Sequence, residues 1–177
     1  TQQCLQGADF FSAEKTFKRL DFLLHDFKAQ FPGERDTLET LANLNDYLFK
    51  IQEWKVTPRT PRLVDNLFVS KLFEKRVAAP LVIGLVYREL ARRLGIDIHF
   101  ISFPGHSFLK VLYNHQLYFL NMAQQGRTTP VGELQKLLNE RYGSDVFLSS
   151  RYLESPTEQQ LITVYLNKLK RIYFDAQ

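Results

Sequence analysis

A chain of 177 residues with 45% hydrophobic content is long enough to bury one substantial core, and this length points to a single main domain. The formal charge of +4 comes from 23 basic residues interleaved with 19 acidic ones, which disfavours the basic stripe that tracks nucleic acid. A single cysteine, Cys4, excludes an internal disulfide and any multi-cysteine zinc site, and no apolar run reaches the length of a membrane span.

Residues 1 to 11 carry no periodic signal and read as a lead-in without a signal-peptide pattern. The chain begins at Thr1 without methionine, so a trimmed or fragmentary chain is expected. A lone thiol fits reducing, cytoplasmic surroundings. Ser12 suits a helix N-cap, and Phe17, Leu20, Leu24, Phe27 and Phe31 then fall on one helical face until Pro32-Gly33. A second helix, about Glu34 to Trp54, repeats the pattern with Leu38, Leu41, Leu44, Leu48 and Ile51. The two predict a helical hairpin.

The stretch from Thr57 to Asn66 holds two prolines and no periodicity, and reads as a surface crossover. A short helix, Leu67 to Lys75, leads to the central one. There Leu81, Leu85, Val86, Leu90 and Leu94 follow helical spacing, with Arg88, Glu89, Arg92 and Arg93 on the other side. Pro80 suits the first helical position and Gly95 the left-handed residue after the end. Three strand-like runs follow, Asp97 to Phe103, Ser107 to Tyr113 and Gln116 to Asn121, the last two joined by Asn114-His115 as a hairpin. Gly126 to Pro130 is a loop, Val131 to Tyr142 a helix stopped by Gly143, Val146 to Leu153 irregular or strand-like, and Thr157 to Phe174 an amphipathic helix. The expected class is α+β, with a helical region over 1–56, a core over 57–155 and a C-terminal helix over 156–177 that would open a helical repeat tail if one follows.

Helix, then strand to a Pro-Gly-His corner, then hairpin to an acidic or amide residue, is the chain order of the transglutaminase-like, cysteine-protease-like fold. The stretch NLFVSKLFEKRVAAPLVIGLVYRELARRLGIDIHFISFPGHSFLKV, followed by YFLNMAQQGR, more closely resembles the SirB-type (invasion-regulator) branch of that superfamily. The resemblance implies a helical N-terminal region before a core of one central helix against an antiparallel sheet, in a bacterial-type cytoplasm. In catalytic members a cysteine opens the central helix, a histidine follows on a strand, and an aspartate on the next strand orients it. Helix N-terminus and imidazolium lower the thiol pKa, and the third group fixes the imidazole tautomer.

Carried over by position, His106 matches the histidine, Asn121 the aspartate, and Pro80 stands where the cysteine would be. Asparagine can orient a histidine. A missing nucleophile is more serious, because Val77 to Gly84 contains no Cys, Ser or Thr. The resemblance therefore implies a non-catalytic interaction or regulatory module, with a residual cleft at Ala79, Pro80 and His106 for a peptide or small ligand. A degenerate hydrolase or acyltransferase using His106 and Asn121 is the alternative, in which His106 acts as general base.

Other residues offer weaker leads. Arg88, Arg92 and Arg93 form a basic patch that complements the helix dipole and offers an acidic partner a foothold. His99 reads as a surface residue on its strand and His115 as a turn residue. Four histidines without an HxH or HExxH pattern make no metal site, and no cofactor is expected. Cys4 could deliver sulfur to His106 from an N-terminal arm, though Gln2, Gln3 and Gln6 supply no cation to depress its pKa. A protein or peptide is the expected partner, and oligomeric state stays open.

Overall fold

The computed structural model describes residues 13–57 and 64–175, so Cys4 and Ser12 lie outside the described residues. The first helix, α1 (Ala13–Gln30), stops just before Pro32-Gly33, as its sequence predicts. The second starts later than its periodicity suggests. Asp36 takes the N-cap, its carboxylate accepting from the Glu39 N–H at 2.8 Å, so α2 runs only from Thr37 to Asn45. It then widens into a π-helical stretch, Asp46–Ile51, which buries Tyr47 and Leu48.

The next pairing has no counterpart among the predicted elements. Strands β1 (Lys55–Val56) and β2 (Val77–Ala78) form a parallel pair, too short for any alternation to register. Between them lie a 3₁₀ turn, Val64–Leu67, and α3 (Val69–Lys75), which ends with Arg76 in the left-handed region. The central helix, α4 (Pro80–Arg93), begins on proline and is followed by Gly95 at φ +85°, matching both predicted boundary signals. Nine of its residues are buried, which makes α4 the pillar on which the other layers rest.

The main sheet is antiparallel, in the order β3 (Ile98–Phe100), β4 (Phe108–Tyr113), β5 (Gln116–Asn121) and β6 (Arg127–Thr128). Asn114 and His115 both have positive φ, 48° and 61°, the two-residue turn that suits the right-handed twist of a hairpin. The predicted first run is trimmed, because Ile101 and Phe103 leave the ladder to fill a separate cluster. The predicted loop at 126–130 gains the short edge strand β6, and 146–153 holds a 3₁₀ turn rather than a strand. Helices α5 (Val131–Tyr142) and α6 (Glu158–Asp175) complete the chain. The α+β expectation holds.

Alternation along the strands divides the core in two. Leu109, Val111 and Leu120 face α4 and join Leu23, Leu44, Ile83, Leu90 and Leu161 in the larger cluster. Phe108 and Phe119 face α5, with Leu134, Leu138, Ile101, Phe103 and Tyr152. Close approach of α4 to the sheet depends on Gly84, where an added Cβ would sit 2.9 Å from the Phe100 ring. No helix among the described residues is long and apolar enough to cross a membrane.

Candidate functional site

The corner at Pro104-Gly105 forms because Gly105 adopts φ +71°, which delivers His106 to the end of the sheet just ahead of β4. Its imidazole stacks on Phe108 with centroids 5.7 Å apart, and meets the edge of Phe103 at 5.7 Å. Both phenylalanines are buried, so apolar packing fixes the ring plane. Asn121 pairs with Phe108 across the ladder, and therefore shares the face and the sheet end of His106. Its side chain is 3% exposed and Oδ1 accepts from the Ala123 N–H at 3.0 Å, capping the turn after β5.

His106 lies on the wall of a cavity of about 920 Å³. Leu81, Phe100 and Leu161 line its apolar part, and Ser102, Thr157 and Gln160 are among its polar residues. Of the central helix only Leu81 contributes. Ala79 and Pro80, at the start of α4, are buried and are not among the residues that line this cavity. Ala79 N–H is already spent on the Asn66 carbonyl at 2.8 Å, and its own carbonyl accepts from Ile83. The opposite wall is α6 from Gln159 to Lys168, including Val164. That wall is the part that sequence reasoning missed. The extra apolar residues of α6 beyond its core stripe were the available signal.

The remaining candidates separate by environment. Each arginine of the predicted patch has an intramolecular carboxylate: Arg88 meets Glu158 at 3.2 Å, Arg92 meets Glu89 at 3.9 Å, and Arg93 bridges Glu89 and Asp21. Donation to the Glu89 carboxylate holds the Arg93 guanidinium above its ordinary range. Arg88 Nε is buried without a hydrogen-bond partner, and its guanidinium lies over the Phe100 ring at 5.6 Å. His99 is exposed and bonded to Asp97 at 2.7 Å, and His115 sits in the hairpin turn. No group of three or more metal-ligating side chains forms among the described residues.

A buried central helix packs against an antiparallel sheet that presents His106 at a Pro-Gly corner, an α+β architecture consistent with a transglutaminase-like fold. The family model described as the transglutaminase-like superfamily matches residues 14–167, and the chain belongs to that superfamily. Among curated proteins it is similar to a UPF0162 protein of Xylella fastidiosa strain 9a5c, with 28% identity over 108 residues, or 60% of this chain and 38% of the relative. A second UPF0162 protein, from the Temecula1 strain of that species, is 27% identical over 107 residues, covering 59% of this chain and 37% of its own length. The matched stretch is thus well under half of these bacterial relatives. No solved structure matches the chain.

Proposed function

We propose that the domain is a binding or regulatory module built on an acyl-transfer scaffold, and that the cavity beside His106 takes a protein or peptide segment. The carrying observation is the start of α4. Where a nucleophile would sit, Pro80 is buried at the first helical position, and Val77 to Gly84 supplies no thiol or hydroxyl. Covalent acyl transfer needs that first bond. The cavity itself suits recognition, since an apolar floor with a few polar side chains gives affinity from burial and orientation from hydrogen bonds. We further place the chain in the SirB-type branch, with the proline at the nucleophile position a trait of its lineage, and in a bacterial cytoplasm.

A second reading rests on His106 lining the cavity with Asn121 on the same face. In it the pair activates water or a substrate hydroxyl as a degenerate hydrolase or acyltransferase.

One set of variants separates the two. Val164 lines the cavity and is 46% exposed, so Val164→Trp fills the mouth without disturbing the core. Proteins retained from native lysate should be lost with Val164→Trp and kept with His106→Ala. Hydrolysis of a chromogenic acetate ester that disappears in His106→Ala would instead establish the enzyme reading. Rapid alkylation of Cys4 by iodoacetamide near neutral pH, abolished in the same variant, would revive a cysteine-histidine pair.

A further inference from the structure

Strand β3 forms one edge of the four-stranded sheet, with β4 as its only neighbour in the ladder. Main-chain groups along an antiparallel strand bond alternately to one side and the other, so the register shows which of them face outward. Ile101 N–H donates to the Phe108 carbonyl at 3.2 Å, and Phe100 stands opposite Leu109. Ile101 and His99 therefore turn their main chain toward β4, while Phe100 and Ser102 turn theirs away from it. The bond from Met122 N–H to the Ser107 carbonyl, at 3.0 Å on the other side of β4, fixes the same phase. Ser102 N–H is met by the Glu154 carbonyl at 2.8 Å. Two residues on, the chain reaches Pro156, which has no N–H with which to continue a ladder, and passes into α6. The domain's own chain thus makes one bond to this edge and leaves. No hydrogen bond among the described residues meets the Phe100 N–H or carbonyl.

The cavity beside His106 runs along this edge. Phe100, Ile101, Ser102 and Phe103 line it one after another. Phe100 belongs to the cluster under α4, and Ile101 and Phe103 to the cluster under α5. A space touched by consecutive residues whose side chains go to opposite faces lies beside the strand and over neither face. Leu81 of α4 and Leu161 and Val164 of α6 supply apolar surface to the same space. Among the described residues no carboxylate lines it, so a cation carried inward would be buried without a partner.

We propose that the cavity takes an extended segment of a partner protein as an added strand beside β3. The segment pairs with the Phe100 N–H and carbonyl and the Ser102 carbonyl, and sets uncharged apolar side chains at alternate positions against Leu81, Leu161 and Val164. This rests on the reading of the cavity as a peptide site and names the form in which the peptide binds. An unpaired edge is a template for a further strand, and strand addition is a recurrent mode of peptide recognition. A helical occupant fits poorly, because it spends its own N–H and carbonyl groups internally and leaves Phe100 unmet. A second copy of this chain also fits poorly. Strand β3 has three residues and faces α6 across the cavity, which offers the edge of another folded sheet little to pair with.

The test applies the whole chain, fluorescein-labelled, to an array of peptides of about eight residues built from Val, Ile, Thr and Ser. One set alternates apolar and polar positions. A second has the same residues with the apolar ones three and four apart, and a third puts lysine at the apolar positions. The alternating set should bind, with the other two weaker by roughly tenfold or more. In the tightest binder, N-methylation of every second amide should weaken binding by roughly tenfold or more in one phase, and shift it by no more than about twofold in the other. Deuterium exchange at the Phe100 amide should slow by roughly tenfold or more when that peptide is bound, and Val164→Trp should weaken the peptide by a similar factor. The inference fails if no alternating peptide binds, if helical spacing binds as well, if the two methylation phases act alike, or if Phe100 exchange is unchanged. It also fails if sedimentation shows a dimer that the peptide dissociates. A helically spaced peptide that binds the parent and not Val164→Trp would sink strand addition and leave the cavity a peptide site. Absence of any binding peptide, together with lysate proteins retained regardless of Val164→Trp, would sink both.

Discussion

The two faces of the four-stranded sheet are built to different standards. The face toward α4 belongs to a cluster that draws on α1, α2, α3, α4 and α6, so its side chains are held from several directions. The face toward α5 has a smaller cluster, closed by one helix and the irregular segment through Tyr152. His106 and Asn121 sit at the margin of that second face. The lesson is one of division of labour. The first face secures the scaffold, and the second can change its corner chemistry without risking the fold.

Matched deletions test that division most strongly. Leu90 and Leu138 are both essentially inaccessible, at 1% and 0%. Leu90→Ala opens a hole in the larger cluster, where neighbours on several elements cannot relax, and should cost about 3–5 kcal/mol. Leu138→Ala should cost about 2–3 kcal/mol, because α5 is free to settle toward the sheet. Urea denaturation of both variants checks this. Equal losses would break the contrast between the faces.

A smaller effect is expected from adding one methyl group at the α4–sheet contact. Gly84→Ala places a Cβ 2.9 Å from the Phe100 ring and 3.1 Å from Met122 Cγ. Helix propensity favours alanine by up to about 1 kcal/mol, yet forced movement of Phe100 costs about 1–3 kcal/mol. The net expectation is a loss of about 1–2 kcal/mol by the same assay. A gain in stability would mean that the first face yields as easily as the second. Phe100 also lines the cavity, so a crystal structure of this variant would show whether its ring turns into that space.

Much of the fold could be read from residues that act locally. Pro80 and Gly95 bracket α4 by their backbone preferences alone, and Asn114-His115 set the hairpin because both tolerate positive φ. What escaped notice depends on distant partners. The β1–β2 pair has only two residues per strand. The early end of α2 comes from a π-helical turn whose Tyr47 finds its partner on α1. His106 stood out from the sequence as a corner residue, but the cavity around it needed α6 as a wall, and no spacing pattern reports which helix returns to which strand.

That Tyr47 contact supplies the subtlest check on the first face. The Tyr47 hydroxyl donates to Asp26 at 2.7 Å, and Gln30 adds a second hydrogen bond at 3.0 Å. Hydrogen bonding from Tyr47, then from Gln30, holds the Asp26 carboxyl below its ordinary value of 3.8. A carboxyl with a depressed folded-state pKa stabilises the fold above its unfolded pKa, and that contribution fades as pH falls through the folded value. Tyr47→Phe removes the strongest donor while keeping the buried ring, and should cost about 1 kcal/mol at neutral pH. The gap between parent and variant should narrow below about pH 4, where protonation of Asp26 weakens the contact that only the parent makes. Thermal melts at pH 7 and pH 3 measure it. A gap unchanged between the two would show that Asp26 contributes nothing as a charge, and that packing alone ties α1 to the π-helical turn.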